Sequence, residues 1–186
     1  MHQLPMGSTL MFSDLDVVPL RPPSSLLPLP YNLTFMREPP GHGGKTGRHI
    51  VNAGLYALHV NTATRKFVNH WGWLTRTRSK LMDQDTANWI LLAKAGQPMH
   101  HPGLDWGTWP RHLVTGLIAD VRGNETAAFH AIFSTGPEKH SRISQALELA
   151  ATPMPACKVH SESCPMAAAN SDGSPLVSDT GAVPSR

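Results

Sequence analysis

The sequence has little cysteine, few aromatic residues and no long apolar run. Its two cysteines, Cys157 and Cys164, lie in a polar tail, and with His160 between them they lack the further ligands of a familiar zinc site. A helix that spans a bilayer needs an apolar run of about 18 residues, and none occurs. The N-terminus also lacks a charged segment followed by an apolar core. The chain as written is therefore expected to be soluble.

Positive charge is present but is not concentrated anywhere in the chain. The formal net charge is +3, and the lysines and arginines are scattered instead of forming a basic stripe. Because a nucleic-acid binder needs such a stripe to contact successive phosphates, nucleic-acid binding is not predicted.

Composition divides the chain into two parts. The 186 residues are 40% hydrophobic, which is enough for one domain with a core. After Ala151 the chain is rich in serine, proline, alanine and glycine, and such a segment buries too little apolar surface to offset the entropy of ordering. We predict a domain over residues 1–150 and a disordered, low-complexity tail over residues 151–186.

The pattern of apolar residues predicts a mixture of strands and helices. Apolar runs bounded by turn residues predict strands over residues 9–12, 50–60, 113–120 and 127–133. Helical spacing and capping residues predict helices over residues 61–74, from Asp83 or Asp85 to a stop at Gly96, and over residues 137–150. Segments rich in proline and glycine predict a connector at residues 19–30 and loops at residues 39–47 and 97–112.

Asp14 and Asp16 follow the first of these apolar runs. If the run continues as a strand, both carboxylates lie on one face, about 6.7 Å apart along the backbone. Their repulsion at an effective dielectric of about 20 would cost on the order of 3 kcal/mol, and a hard divalent cation would reverse it by accepting oxygen ligands. The pair therefore indicates a metal and diphosphate site, with a plain polar turn as the alternative.

A second phosphate-binding pattern is weaker. Residues 41–47 contain Gly44-Lys45-Thr46, as in a P-loop, but the first glycine of that motif would fall on Pro39. No strand is predicted before the loop and no helix after it. We interpret it as a loop near a substrate.

Three further clusters carry polar or small residues in sites suited to ligand binding. Asn52-Ala53-Gly54 forms a small turn before a strand, where a sugar could approach the backbone, although it could equally be only a turn. Asp83-Gln84-Asp85 with Asn88 lies at a helix start, where carboxylates also serve as simple caps. His130 precedes Gly136 and Lys139, which could supply an imidazole ligand, a glycine turn and an ammonium to a diphosphate.

In this order the motifs resemble a known family. Asp-x-Asp, Asn-Ala-Gly, Asp-Gln-Asp-x-x-Asn, and His with a downstream Gly-Pro-x-Lys are arranged as in retaining GT-A glycosyltransferases. The resemblance covers residues 9–147 and is strongest to the nucleotide-diphospho-sugar transferase domain of family 77, with family 8 similar in pattern. The order of four motifs is far more specific than any single motif.

The resemblance implies a fold, a reaction and a location. The fold would be α/β, a GT-A-like mixed sheet flanked by helices. The reaction would move a sugar, with retention of its anomeric configuration, from a nucleotide-diphosphate donor such as a UDP-sugar to a glycan or glycoprotein acceptor. The cofactor would be Mn²⁺ or Mg²⁺, and relatives of this kind work in the Golgi lumen or at its membrane.

The resemblance also implies roles for individual residues. The implied metal ligands are Asp14, Asp16 and His130. The implied donor contacts are Asp14, Asn52, Ala53, Gly54, Gly136 and Lys139, the last two at the diphosphate. The implied catalytic group is Asp83, Gln84 and Asp85, in which Asp83 and Gln84 would touch the sugar, whereas Asp85 and Asn88 have the alternative of orienting the loop.

One departure from the family pattern leaves a second function open. Only a short segment precedes Asp14, so we expect the N-terminal nucleotide-binding half to be largely missing, together with any membrane anchor. The alternative to an active enzyme is a truncated, non-catalytic remnant or a carbohydrate-interaction module.

Overall fold

Short apolar runs separated by proline and turn residues fold into strands and helices in alternation. The computed structural model describes residues 4–39, 50–78, 80–132 and 135–152. Within those ranges the strands are β1 (Thr9–Ser13), β2 (Val17–Pro19), β3 (Leu33–Arg37), β4 (Val51–His59), β5 (Trp106–Thr108), β6 (Val114–Thr115) and β7 (Ala128–His130). The α-helices there are α1 (Thr62–Thr77), α2 (Asp83–Leu91) and α3 (Gly136–Ala151).

The strands form two mixed sheets. The first has the order β1-β4-β3-β5, in which β3 and β5 are parallel and the other neighbours are antiparallel. The second has the order β2-β7-β6, in which β2 and β7 are antiparallel and β6 and β7 are parallel. The expected mixed α/β architecture is confirmed, and it is consistent with a GT-A-like fold.

Alternation along the strands gives each sheet two apolar faces. In β4, Leu58 packs with α1 and α2, whereas its neighbour Ala57 packs with residues of the second sheet. In β7, Ala128 joins that same core between the sheets, whereas Phe129 packs with Ala146 of α3. The elements are therefore stacked in the order α1 and α2, first sheet, second sheet, α3. Both sheets are covered on each side by apolar residues.

The start of α1 is determined by its capping residues. The Asn61 side chain accepts a hydrogen bond from the backbone N–H of Thr64 at 2.9 Å, and the Thr64 hydroxyl accepts one from the N–H of Asn61 at 3.0 Å. This reciprocal capping box satisfies two N–H groups that have no partner in the helix itself. The predicted helix start at residue 61 is confirmed.

Several predicted boundaries are wrong. Residues 97–112 are not wholly irregular, because they include β5, which pairs with β3. The run over residues 113–120 is β6 followed by a 3-10 turn at Ile118–Asp120, and β7 ends at His130. Helix α2 ends at Leu91, so Gly96, with its φ of 86°, lies beyond it. Short strands such as β5 depend on a partner that is distant in sequence, and a local pattern does not reveal it.

Some predictions fall outside the described part of the chain. The loop with the P-loop pattern is among them, as is nearly all of the predicted tail, so both stay predictions. All of the described residues belong to one compact unit spanning residues 1–154. Among them, no helix is long and apolar enough to cross a bilayer.

Candidate functional site

The turn that links the two sheets carries Asp14 and Asp16. Strand β1 ends at Ser13 and β2 begins at Val17, so both aspartates lie between the strands. The N–H of Val17 donates to the Asp14 carbonyl at 3.2 Å and closes the turn. The aspartates are therefore brought together by a turn, not by the alternation of side chains along a strand.

Backbone hydrogen bonds tie each aspartate to a different sheet. The N–H of Asp14 donates to the Gly54 carbonyl of β4 at 2.7 Å, in the first sheet. The Asp16 carbonyl accepts from the N–H of Ala131 at 3.0 Å, directly after β7 in the second sheet. In the same sheet Val17 pairs with His130, which brings His130 beside the turn.

His130 completes a group of three possible metal ligands. Its Nε2 lies 3.0 Å from Oδ1 of Asp16, and its side chain is almost fully buried. One ligand atom each from Asp14, Asp16 and His130 can be chosen so that all lie within 4.8 Å of one another. The other ring nitrogen, Nδ1, is buried without a hydrogen-bond partner in the described part of the chain.

Gly54 makes room for the imidazole. A Cβ atom at this position would lie 2.1 Å from Cε1 of His130 and 2.6 Å from its Nδ1, well inside van der Waals contact. The predicted turn at Asn52-Ala53-Gly54 is wrong, because all three residues lie within β4. What approaches the backbone of Gly54 in this structure is the His130 ring.

Lys139 brings a positive charge to the same turn from α3. Its Nζ donates to Oδ2 of Asp16 at 2.8 Å, while Oδ1 of Asp16 faces His130. Helix α3 begins at Gly136, whose φ of 54° is in the left-handed region that favours glycine. Among the described residues, no side-chain contact explains that glycine, since a Cβ there would meet none of their atoms within 4 Å.

Burial and neighbouring charges shift the pKa of the three possible metal ligands. Burial raises the pKa of Asp14, and the nearby carboxylates of Asp16 and Asp83 act in the same direction. Burial also acts to raise the pKa of Asp16, but the hydrogen bond from Lys139 and the neighbouring His130 outweigh it, so that pKa is lowered. Burial lowers the pKa of His130, despite the opposing effect of the aspartates. A neutral imidazole is the form that ligates metals.

A second set of polar side chains lies next to this cluster. Its central residue is Glu38, which follows β3. The carboxylate oxygen Oε2 of Glu38 accepts hydrogen bonds from Nδ2 of Asn52 at 2.8 Å and from Nε2 of Gln84 at 3.1 Å. The carbonyl end of the Gln84 side chain accepts from the N–H of Ala53 at 3.2 Å. Asn52, Ala53 and Gln84 are thereby joined in one hydrogen-bonded group.

The remaining predicted residues at the start of α2 differ in their surroundings. Asp83 is exposed, and its charge raises the pKa of Asp14, so it faces the same region. The N-cap is Met82, not an aspartate, and the Asp85 carboxylate accepts from the Met82 N–H at 3.1 Å. Asn88 is buried and binds the backbone of Val51 through both ends of its amide.

Most of the chain matches one known protein family. The model of the family described as nucleotide-diphospho-sugar transferase matches residues 2–141. The chain belongs to this family. No curated protein and no solved structure matches the transferase significantly. Membership implies a nucleotide-sugar donor and a glycan acceptor, and it often implies a metal ion.

The donor set of the transferase fits a divalent cation. Carboxylate oxygens suit hard divalent cations, and an imidazole nitrogen suits the transition metals, so two carboxylates with one imidazole are ligands that a divalent cation can use. The ion pair between the Lys139 ammonium and the Asp16 carboxylate shows that this site attracts positive charge. The structure therefore contains a possible Asp-Asp-His metal site.

Glu38 is the polar residue of this region that the sequence analysis missed. It directly follows the apolar run of β3 and precedes Pro39, and the side chain is only 6% exposed. The β-branched and aromatic residues of Leu33–Arg37 could have predicted a strand here. The prolines after it could have predicted that the strand ends at an acidic residue. Nothing in that pattern indicates which side chains the acid contacts.

Proposed function

We propose that this transferase moves a sugar from a UDP-sugar to a glycan or glycoprotein acceptor, in a reaction that requires Mn²⁺ and retains the anomeric configuration. The observation that carries the proposal is the convergence of Asp14, Asp16 and His130 at one point between the two sheets. Family membership supports the nucleotide-sugar donor. The metal, the uridine and the retention of configuration are parts of the proposal itself.

In this proposal Asp14, Asp16 and His130 hold the cation. When bound, the cation supplies a Lewis acid that offsets negative charge on the diphosphate. Lys139 is assigned to the same diphosphate, because its ammonium already lies 2.8 Å from a carboxylate of the site. A fixed positive charge aimed at a departing phosphate lowers the barrier most where solvent is excluded. Gly136 is assigned to the diphosphate as the residue that begins α3.

The sugar is assigned to the strand β4 and the start of α2. Asn52, Ala53 and Gly54 would line the donor sugar, with Asp83 and Gln84 near its hydroxyls. The acceptor oxygen forms a bond to the anomeric carbon as the bond from that carbon to the diphosphate breaks. The electron pair leaves with the phosphate oxygen, which takes up the proton of the acceptor hydroxyl. Attack from the leaving-group side and a short-lived intermediate screened by Gln84 both give retention.

Asp85 and Asn88 receive different roles. The bond from the Met82 N–H to Asp85 stabilises the first turn of α2, and Asn88 joins that helix to β4. We therefore assign both residues to orienting Gln84, not to contact with the sugar. This choice follows the alternative that the sequence left open.

Calorimetric titration with UDP tests the proposal. We expect binding in the presence of Mn²⁺, little binding with a chelator, and loss of the metal-dependent part in Asp16→Ala. Glu148→Ala, which removes an exposed carboxylate from α3, is the matched control and should bind as the wild type does. Equal UDP binding with and without Mn²⁺ would contradict the metal-dependent site.

One observation favours a second function, a non-catalytic module that binds carbohydrate. Lys139 already neutralises Asp16, so the carboxylate does not need a metal for charge compensation. If the folded chain binds a glycan but shows no metal-dependent binding of UDP, this second function is preferred. For the enzyme, we propose the Golgi as the compartment that supplies both nucleotide sugars and glycan acceptors.

A further inference from the structure

The pairing of β3 with β4 is interrupted beside the proposed site. Phe35 pairs with Tyr56, but the next residue, Met36, pairs with Asn52. Residues 53–55 of β4 therefore have no partner residue in β3. Bulges of this kind re-aim side chains and release backbone groups from the ladder, and they are common beside active sites.

Side-chain amides take the place of the missing strand partners. The N–H of Ala53 donates to Oε1 of Gln84 at 3.2 Å. The N–H of Gly54 donates to Oδ1 of Asn52 at 2.9 Å. The shape of this bulged segment thus depends on two amide side chains, each of which must present its carbonyl end to β4.

Glu38 determines which end of each amide faces the strand. An amide has a donor end and an acceptor end, whereas an ionised carboxylate only accepts hydrogen bonds. Because Oε2 of Glu38 accepts from both amide nitrogens, the carbonyl oxygens of Asn52 and Gln84 are turned away from it, toward the N–H groups of β4. A neutral side chain at residue 38 would not enforce this orientation.

The geometry points to Glu38 as a positioning residue of the transferase site, acting through Asn52 and Gln84 on the bulged segment of β4. The inference rests on the proposed function, which places the donor sugar against that segment. Glu38 is not assigned contact with the sugar. Asp16 is held by its own backbone bond to Ala131 in the second sheet, so that part of the metal cluster has support that does not pass through Glu38.

The first test is the isosteric substitution Glu38→Gln, which replaces one carboxylate oxygen with an NH₂ group, so the side chain is no longer one that can only accept hydrogen bonds. We expect kcat for sugar transfer to fall by about tenfold or more, since small misplacements of binding groups have effects of this size. The affinity for UDP with Mn²⁺ should fall less than kcat, because Asp16 and His130 are held within the second sheet. Glu148→Gln, on the exposed face of α3, is the matched control.

The second test reverses the polarity of one hydrogen bond. In the double variant Glu38→Gln with Asn52→Asp, the new glutamine can donate to the new carboxylate, which still accepts from the N–H of Gly54. We expect the double variant to transfer sugar faster than either single variant. This rescue would show that hydrogen-bond direction matters, and a general loss of stability would not produce it.

The possible outcomes separate the two proposals. If the wild type shows no Mn²⁺-dependent binding of UDP, the proposed function itself fails. If the wild type binds and transfers sugar but Glu38→Gln has the same kcat, the positioning role is wrong. The role is also wrong if UDP affinity and thermal stability fall as much as kcat and the double variant gives no rescue.

Discussion

The imidazole of His130 lies directly against the backbone of Gly54. A Cβ at residue 54 would come within 2.1 Å of Cε1 of His130, and the N–H of Asp14 donates to the carbonyl of the same glycine. Gly54 thus lies between two of the proposed ligands, Asp14 and His130. The two sheets meet at this point, so the space available at Gly54 controls the distance between the aspartate turn and the imidazole.

We predict that Gly54→Ala weakens Mn²⁺ binding by about tenfold or more, because the imidazole must move away from the aspartates. Gly72→Ala is the control, since a Cβ there would be 3.4 Å from an arginine side-chain end on an α-helix. That control should be neutral or more stable, by up to about 1 kcal/mol. Titration with Mn²⁺ measures the effect, and unchanged affinity in Gly54→Ala would show that His130 is not a ligand.

Lys139→Ala should reduce turnover more than stability. The ion pair with Asp16 is partly exposed, and such pairs contribute about 0–1 kcal/mol to the free energy of unfolding. Loss of a charge that offsets the departing diphosphate should lower kcat by about tenfold or more. Lys94→Ala, at an exposed lysine after α2, is the control. Equal fractional losses in kcat and stability would argue against a role at the diphosphate.

Asn88→Ala should destabilise the fold by about 2–4 kcal/mol. The Asn88 amide oxygen accepts from the N–H groups of Ile50 and Val51, and its nitrogen donates to the carbonyls of Val51 and Gln84. Removal of the amide therefore leaves buried backbone groups without partners. Urea unfolding monitored by circular dichroism measures the change. Asn69→Ala, on the exposed side of α1, should change stability by less than about 0.5 kcal/mol.

Acid should destabilise the protein partly through His101. Burial lowers the pKa of His101 below its ordinary value of 6.5, and the neighbouring His70, His100 and Lys66 add to the shift. The unfolded chain therefore binds the proton more readily, so stability is lost as the pH falls through 6.5 toward the lower pKa of the folded state.

The variant His101→Gln isolates this contribution. The free energy of unfolding should depend less on pH between about 7.5 and 5.5 in the variant than in the wild type, because one titrating group is removed. His112→Gln, at an exposed histidine, is the control for the substitution itself. An unchanged slope in His101→Gln would show that burial does not lower the pKa of His101.

Elements with strong local signals were predictable from the sequence. N-cap candidates from Asn61 onward and the apolar spacing of Phe67, Trp71 and Leu74 predicted α1, which the structure confirms. The long apolar run of β4 was also recognised. Strands β2, β3 and β5 were not predicted, because each is short and is stabilised by a partner distant in sequence.

For the candidate site, too, the sequence predicted some features and missed others. The residue types predicted which side chains belong to the site, because carboxylates with an imidazole and an ammonium indicate a metal and diphosphate site. The structure brings Asp14, Asp16 and His130 together, but it gives Gly54 a contact that the sequence did not suggest. Glu38 was missed because its importance depends on which two amides it contacts.

The sequence by itself determined the family and the main helices, because residue types, their order and local periodicity carry that information. Tertiary structure alone decided that a turn between two sheets carries the aspartates and that Glu38 contacts the two amides beside the bulge in β4. Those arrangements arise from hydrogen bonds and packing between segments far apart in the chain, whose register no local pattern encodes.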